Sequence, residues 1–447
     1  KKKMLTINRI FINDIRFPTS KEGHGSDAMH TDPDYSCVYV RIGINHTDEN
    51  LMGHGLTFTI GRGTEVVLAA ALALKPLVLN TDLNTVFNCP GGWKKFHRRL
   101  TCDSQLRWIG PEKGAIHLAT AAIVNAIWDL WAKLQSKPLW QLLVDMEPKQ
   151  LVDCIDFQYI SDALTEQEAI EILNRNRSSL QERVKIIRKE GYPAYTTGVG
   201  WTGYDDQTRR QLCRKALAEG YTRFKVKVGS DNIEDDRHRL RIVREEIGDD
   251  KLLMVDANQK WDVPEAIERM KQLVSFNVLW IEEPTSPDDI LGHKQIASEL
   301  QPYGIKVATG EQCHNRVMFK QFITSGAMQY CQIDSCRMAG VNEVLAVILM
   351  AAKYGVPVCP HAGGVGLCEY VQHFSIWDYV AVTGTRDNRM IEYVPHLVEH
   401  FQHPARCLNG HYMVPEHAGY GCHIKQESIE MYEYPNGTYW KQEQQQQ

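Results

Sequence analysis

From about residue 222 to residue 392, short apolar runs recur along the chain, and each delivers an ionisable side chain at or near its end. They cover residues 224–228 (with Lys225 and Lys227), 253–256, 279–282, 306–311, 331–334 and 356–361. Runs of this length, rich in Val, Ile and aromatic residues, predict buried strands, and the segments between them carry helical spacing of apolar positions. Lys227, Asp256, Glu282, Glu311, Asp334 and His361 follow one another at intervals of 23–29 residues. One strand plus one helix of a (β/α)8 barrel takes about 30 residues, and such barrels place their chemistry at the C-terminal strand ends. The pattern therefore predicts an α/β, TIM-type barrel with all six side chains at one mouth.

The first 150 residues lack that rhythm. Strand-like stretches at 7–17 and 38–44 followed by helices predict a separate α+β domain, residues 1–150. A strong helix is expected over 119–133, where Ala122, Ala126 and Leu130 share a face and the small residues allow close packing. Residues 138–143 follow as a second packing turn. Residues 23–35, rich in Gly, Asp and His, read as a surface loop and, functionally, as a mobile lid over the barrel mouth. Residues 152–158 read as the first barrel strand, Thr165 and Glu168 as a capping box, 191–206 as a decorating loop that reaches the site, and 378–382 as the last strand. The expected division is thus a barrel domain over 151–390 and a C-terminal segment, 391–447, that returns to the first domain and ends in a disordered Gln-rich tail.

Composition narrows the partner. A formal charge of −5 over 447 residues gives no basic footprint for nucleic acid or an anionic membrane, so a small molecule is expected. Twelve cysteines scattered without a CxxC pair indicate a reduced, intracellular protein. The longest uninterrupted apolar runs, 66–74 and 344–352, fall far short of the ~20 residues needed to span a bilayer, which predicts a soluble chain with no membrane partner. Lys1, Lys2 and Lys3 precede no signal-peptide core, so a transit peptide is absent or already removed, and the mitochondrial matrix and the cytosol both stay open.

The polar strand ends carry the chemistry. Lys225 and Lys227 lie two apart on one strand and share a face, where two near-buried ammonium groups would lower each other's pKa and make a base near neutral pH. Asp256, Glu282 and Glu311 would repel one another at the ends of neighbouring strands unless a hard cation sat between them, and Mg²⁺ suits three carboxylates with its remaining positions left for water or substrate. Asn258 can donate to the same site. Asp334 can orient the His361 ring and raise its pKa. The glycines at 363–366 follow no phosphate-binding pattern. A lysine base, an opposing histidine and a divalent cation suit proton abstraction next to a carboxylate, a pairing already known for the enolase superfamily.

The segments Lys225-Val226-Lys227, Asp256-Ala257-Asn258 and Trp280-Ile281-Glu282-Glu283-Pro284, with Glu311 and the Asp334/His361 pair, resemble that superfamily, in its mandelate racemase subgroup. The resemblance runs over the whole chain except the Gln-rich tail. Within the subgroup, residues 25–35, 106–114 and 359–369 resemble the L-fuconate dehydratases. The resemblance implies an N-terminal capping domain completed by the C-terminal segment, and a modified (β/α)7β barrel. It implies conversion of L-fuconate to 2-keto-3-deoxy-L-fuconate and water through C2 proton abstraction, stabilisation of the enediolate and loss of the 3-hydroxyl. On this reading Asp256, Glu282 and Glu311 hold Mg²⁺, Lys225 neutralises the substrate carboxylate, Lys227 takes the C2 proton, and His361, oriented by Asp334, is the opposing acid or base. Glu392 hydrogen-bonds substrate, and Gly25, Ser26, Asp27 and Tyr35 form a lid against the sugar hydroxyls. A homo-oligomer is expected. Two alternatives keep the fold: a racemase, epimerase or dehydratase acting on another acid sugar, and a non-catalytic binding protein on a relic barrel.

Overall fold

The computed structural model describes residues 5–46, 48 and 51–446; Lys1 to Lys3 and Gln447 lie outside the described residues. The chain opens with an antiparallel sheet of three strands in the order β1 (Ile7–Arg16), β2 (Ser36–Ile44) and β3 (Met52–Thr59). The helix Gly114–Leu134 lies against β3 at very short range. Gly53 and Gly55 make that approach possible, because a Cβ at either would sit 2.1 Å from the carbonyl oxygen of Ala126 or Ala122. This helix is long and apolar enough to cross a membrane, longer than any uninterrupted apolar run, yet it is a core helix buried inside the fold. Trp128 of this helix stacks on Trp93 at 4.5 Å.

The barrel begins at β4 (Tyr192–Thr196) and continues through β5 (Arg223–Lys227), β6 (Leu252–Asp256), β7 (Val278–Glu282), β8 (Lys306–Thr309) and β9 (Tyr330–Cys331), each parallel to the one before. Val358 then bridges Cys331, and β10 (Ile391–Tyr393) pairs in parallel with β4. Counting Val358, eight strand positions alternate with seven helices, Asp206–Ala218, Ile233–Ile247, Val263–Gln272, Ile290–Leu300, Arg316–Ser325, Val341–Lys353 and Leu367–Trp377, which is a (β/α)7β order. Inside the ring, Tyr195, Met254, Trp280, Ala308, Tyr330, Cys359 and Met390 form their own apolar plug.

Four expectations need correction. Residues 152–158 are not a strand: Pro148 opens the helix Pro148–Val152, and Ile155 and Phe157 are buried from a turn, so their alternation reflects burial without a pairing partner. The first strand is instead β4, inside the stretch read as a decorating loop, where all five residues are buried. Residues 378–382 continue the preceding helix as a π-type turn, Asp378–Thr383, so the closing strand is β10. The Gln-rich end, expected to be disordered, forms the helix Thr438–Gln446, held by Trp440 Nε1 donating to the Tyr432 carbonyl at 3.2 Å and by Lys21 pairing with Glu443 at 2.9 Å. The capping box at Thr165 and Glu168 forms as expected.

After β10 the chain contacts both layers. Tyr412 pairs with Tyr192 at the edge of the barrel, while Ile424 donates its N–H to the Tyr39 hydroxyl and Ile15 bridges Glu433 on the capping sheet. Glu369, in the first turn of Leu367–Trp377, secures this segment by accepting from Ala405 N at 3.0 Å. Burial pushes its carboxyl up to about 7. Its ordinary value is near 4.5, so the folded state keeps a proton that the unfolded chain releases, and stability falls as pH rises from about 4.5 through about 7. Glu369→Gln keeps an acceptor for Ala405 and should remove that loss: by denaturant unfolding, the variant gains stability above pH 7, on the order of 1–3 kcal/mol, and matches the parent below pH 4.5.

Candidate active site

The mouth of the barrel is built from its strand ends. Lys225 and Lys227 come from β5, Asp256 ends β6 and Glu282 ends β7. Glu311 lies two residues past β8, Asp334 three past β9, His361 three past Val358, and Glu392 in the middle of β10. These side chains meet as one buried charged cluster. Lys225 Nζ donates to Glu282 Oε1 at 2.5 Å and lies 2.9 Å from Glu392 and 3.4 Å from Asp256, while Lys227 Nζ donates to Asp256 Oδ2 at 2.6 Å. Lys225 does pull Lys227 down, as neighbouring ammonium groups should, but the carboxylates prevail. Burial opposes their charge, but Glu282, Glu392 and Asp256 outweigh it and hold both ammonium groups well above the usual lysine range.

Asp256, Glu282 and Glu311 each offer an oxygen within 4.8 Å of the others. Octahedral oxygens at 2.0–2.1 Å from a small divalent ion lie about 3–4 Å apart, so the three donors fit a hard cation after small side-chain rotations. Burial and the neighbouring carboxylates push Glu282 up to about 8, whereas Lys227 and Lys225 overcome burial at Asp256 and hold it low. A cation at this point would relieve the crowding of negative charge in the same way the ammonium groups do. Asn258, just past β6, donates its backbone N–H to Asp256 Oδ1 at 2.9 Å, and its own Oδ1 is buried with no protein partner among the described residues.

On the other side, His361 Nδ1 and Asp334 Oδ2 are 2.8 Å apart, and Asp334 Oδ1 accepts from the backbone N–H groups of Cys336 and Arg337, which fixes the carboxylate. Burial opposes charge on the imidazole, but Glu311 at 3.6 Å and Asp334 lift His361 to about 9. Glu392 is fully engaged: Thr197 Oγ1 donates to its Oε1, and the N–H of Ala362 to its Oε2. Burial opposes its charge, but Lys225, then His361 and Lys227, outweigh it and hold its carboxyl well below the ordinary range.

A cavity of about 280 Å³ opens above this cluster, lined by Gly25, Asp27, Tyr35, Lys225, Lys227, Asn258, Glu311, Asp334, His361 and Glu392. Asp256 and Glu282 lie beneath its floor, wholly buried under the ammonium groups. The stretch read as a surface loop is partly inside: Gly25, Ser26, Asp27 and Tyr35 are buried, while Met29, Thr31 and Asp32 are exposed. Asp27 Oδ1 accepts from Met29 N and His30 N, which curls the loop over the cavity. Ser26 is the exception among the expected contacts. It does not line the cavity; its hydroxyl donates to the Gly23 carbonyl and accepts from Gly203 N, tying the loop to the segment after β4. Thr197 and Trp201, from the loop expected to reach the site, and His30, from the lid, also line the cavity, as do Phe58 and Arg337, which had no sequence signal of their own.

A capped barrel of parallel strands with acid, base and cation-binding groups gathered at its mouth defines the class of this protein. Residues 208–428 match the family described as "Enolase C-terminal domain-like", and residues 22–144 match "Mandelate racemase / muconate lactonizing enzyme, N-terminal domain". The chain belongs to the enolase superfamily. It is 57% identical over 435 residues to mitochondrial enolase superfamily member 1 of Homo sapiens, covering 97% of each chain, and 53% identical over 441 residues to L-galactonate dehydratase of Hypocrea jecorina, covering 98% of this chain and 96% of that one. The crystal structure of human mitochondrial enolase superfamily member 1 superposes with a TM-score of 0.96 at 56% identity over 98% of each chain. That of L-talarate/galactarate dehydratase from Salmonella typhimurium, liganded with Mg and L-lyxarohydroxamate, shares the fold, with a TM-score of 0.72 at 23% identity over 96% of this chain and 93% of that one.

The lid loop is tightly seated. Gly25 has φ +76°, and a Cβ there would lie 2.5 Å from the Tyr35 ring and hydroxyl. Gly25→Ala should displace Tyr35 and loosen residues 23–35, read as faster proteolytic cleavage within that loop and a loss of about 1–2 kcal/mol in stability.

Proposed function

We propose that the protein is a Mg²⁺-dependent acid-sugar dehydratase, a hydro-lyase, that converts L-fuconate to 2-keto-3-deoxy-L-fuconate and water. The observation that carries this reading is the entry of Lys227 and His361 into one cavity directly above the Asp256, Glu282 and Glu311 carboxylates. In the proposal those three hold the cation, and the division of the chain at about residues 150 and 390 into capping domain, barrel and returning segment serves to close the cavity over it.

A bound Mg²⁺ supplies positive charge to offset the charge that grows on the substrate carboxylate once C2 loses its proton. Lys225, fixed between Glu282 and Glu392, presents a second positive charge to that carboxylate. Lys227 removes the C2 proton. Its raised pKa reflects the contact with Asp256, and its base form would become accessible were that carboxylate to hold a cation instead. His361, held protonated by Glu311 and Asp334, donates a proton to the departing 3-hydroxyl from the other side of the cavity. The resulting enol tautomerises to the keto acid, so the atoms balance as substrate to keto acid plus water. Asn258, Glu392, Gly25, Asp27 and Tyr35 surround the sugar chain, with Ser26 acting through the loop it ties down.

Phe58, Leu118 and Val394 give the cavity an apolar wall, which suits the terminal methyl of a 6-deoxy sugar acid. This favours L-fuconate over L-galactonate, which carries a hydroxyl at that carbon; the L-galactonate dehydratase relative keeps the latter as the second reading. The relatives named mitochondrial support the matrix over the cytosol.

Incubation of the protein with L-fuconate, L-galactonate and other sugar acids, with and without Mg²⁺, tests the proposal. Keto acid should form fastest from L-fuconate and only with the metal; epimerised sugar acid without keto acid would make the enzyme a racemase. Lys227→Ala should lower turnover by about 10²–10⁴-fold while Mg²⁺ binding persists, and a variant with near-full turnover removes Lys227 from its role.

A further inference from the structure

We infer that Gln332 is a positioning residue for Glu282: it turns one oxygen of that carboxylate toward the metal position and holds the other away. The inference rests on the proposed metal centre. Gln332 follows β9, is 1% exposed, and its Nε2 donates to Glu282 Oε2 at 2.6 Å. The Trp280 indole N–H donates to the same oxygen at 3.3 Å. With both donors on Oε2, only Oε1 is left facing the cluster, where Lys225 Nζ meets it at 2.5 Å.

The reach is unusual, because Gln332 belongs to the sixth strand position and Glu282 to the fourth. Glu282 pairs with Ala308 of β8, and Ala308 pairs with Tyr330 of β9, so the side chain must pass across the intervening strand. Ala308, with only a methyl group, leaves the passage open, and the N–H of Gln332 donating to the Thr309 carbonyl at 3.0 Å fixes the starting point. The residue type also matters. An amide donates a hydrogen bond without adding charge: a carboxylate here would repel Oε2, and an ammonium would compete with the cation for Glu282. Outer groups that orient a metal-binding carboxylate are typically worth 10–100-fold in metal affinity.

The test uses two variants of the protein. Gln332→Glu keeps size and shape but replaces the donor with an acceptor; Gln332→Met keeps the length of the side chain and removes polarity. Mg²⁺ affinity is measured by calorimetry, the melting temperature on metal-free protein, and turnover over a series of Mg²⁺ concentrations. The expected result is about 10–100-fold weaker Mg²⁺ binding in both variants, a metal-free melting temperature close to that of the parent, and turnover that recovers as Mg²⁺ is raised. Parent-like Mg²⁺ affinity in either folded variant overturns the inference, as does a loss of affinity that only tracks a lower melting temperature. A parent protein that binds no Mg²⁺ overturns the metal centre itself, and the inference with it.

Discussion

The structure depends on a charge cluster sealed inside the barrel. Lys225 is 1% exposed, Asp256 and Glu282 are wholly buried, and Glu392 is 1% exposed. Isolated ions at such depth would cost several kcal/mol each, so they persist only because every charge has an opposite within hydrogen-bond range. The ammonium group of Lys225 satisfies this by standing among three carboxylates from three different strands. Removing Lys225 would leave Glu282 buried with no ammonium group in hydrogen-bond contact, which makes the cluster a constraint on the whole ring. The apolar plug below it, with Tyr195 at 5.5 Å from the Lys225 ammonium, closes the lower side to water.

Above the cluster the cover comes from sequence-distant parts. The lid loop precedes β2, Phe58 belongs to β3, and the buried network of His117, Glu343, Arg316 and Glu112 clamps the capping helix to the barrel with contacts of 2.7, 3.0 and 2.8 Å. The glycines of β3 let the sheet approach the Gly114–Leu134 helix closely, against the Ala122 and Ala126 carbonyls. The capping domain thus supplies one wall of the cavity, anchored where the helix meets the barrel, and the loop over the opening is tied down through Ser26 to Gly203, Asp34 to Ser20 and the Pro33 carbonyl to Thr19.

Much of this was legible in the residues. The even recurrence of apolar runs ending in Lys227, Asp256, Glu282, Glu311, Asp334 and His361 follows from the repeat length of a strand and helix, so both the barrel and most of its site could be read without coordinates. The ends of the barrel could not. Residues 192–196 contain Pro193 and lie between glycines, which disguised a strand whose burial comes from its neighbours, β5, β10 and the hairpin at Tyr412. Residues 378–382 are as apolar as a strand, but the helix before them continues, and pairing went to Ile391–Tyr393.

By itself, then, the order of residues determined the repeating unit, the kinds of groups at the mouth and the family to which they belong, because periodicity and residue type are local properties. Tertiary structure decided which side chains share a cavity, that Ser26 ties a loop while Thr197 and Arg337 line the pocket, and that the two lysines are raised instead of lowered. Those outcomes depend on distances between strands far apart in the chain. A pKa responds to the nearest charge in space, and for Lys227 that charge is Asp256, 2.6 Å away and 29 residues further on.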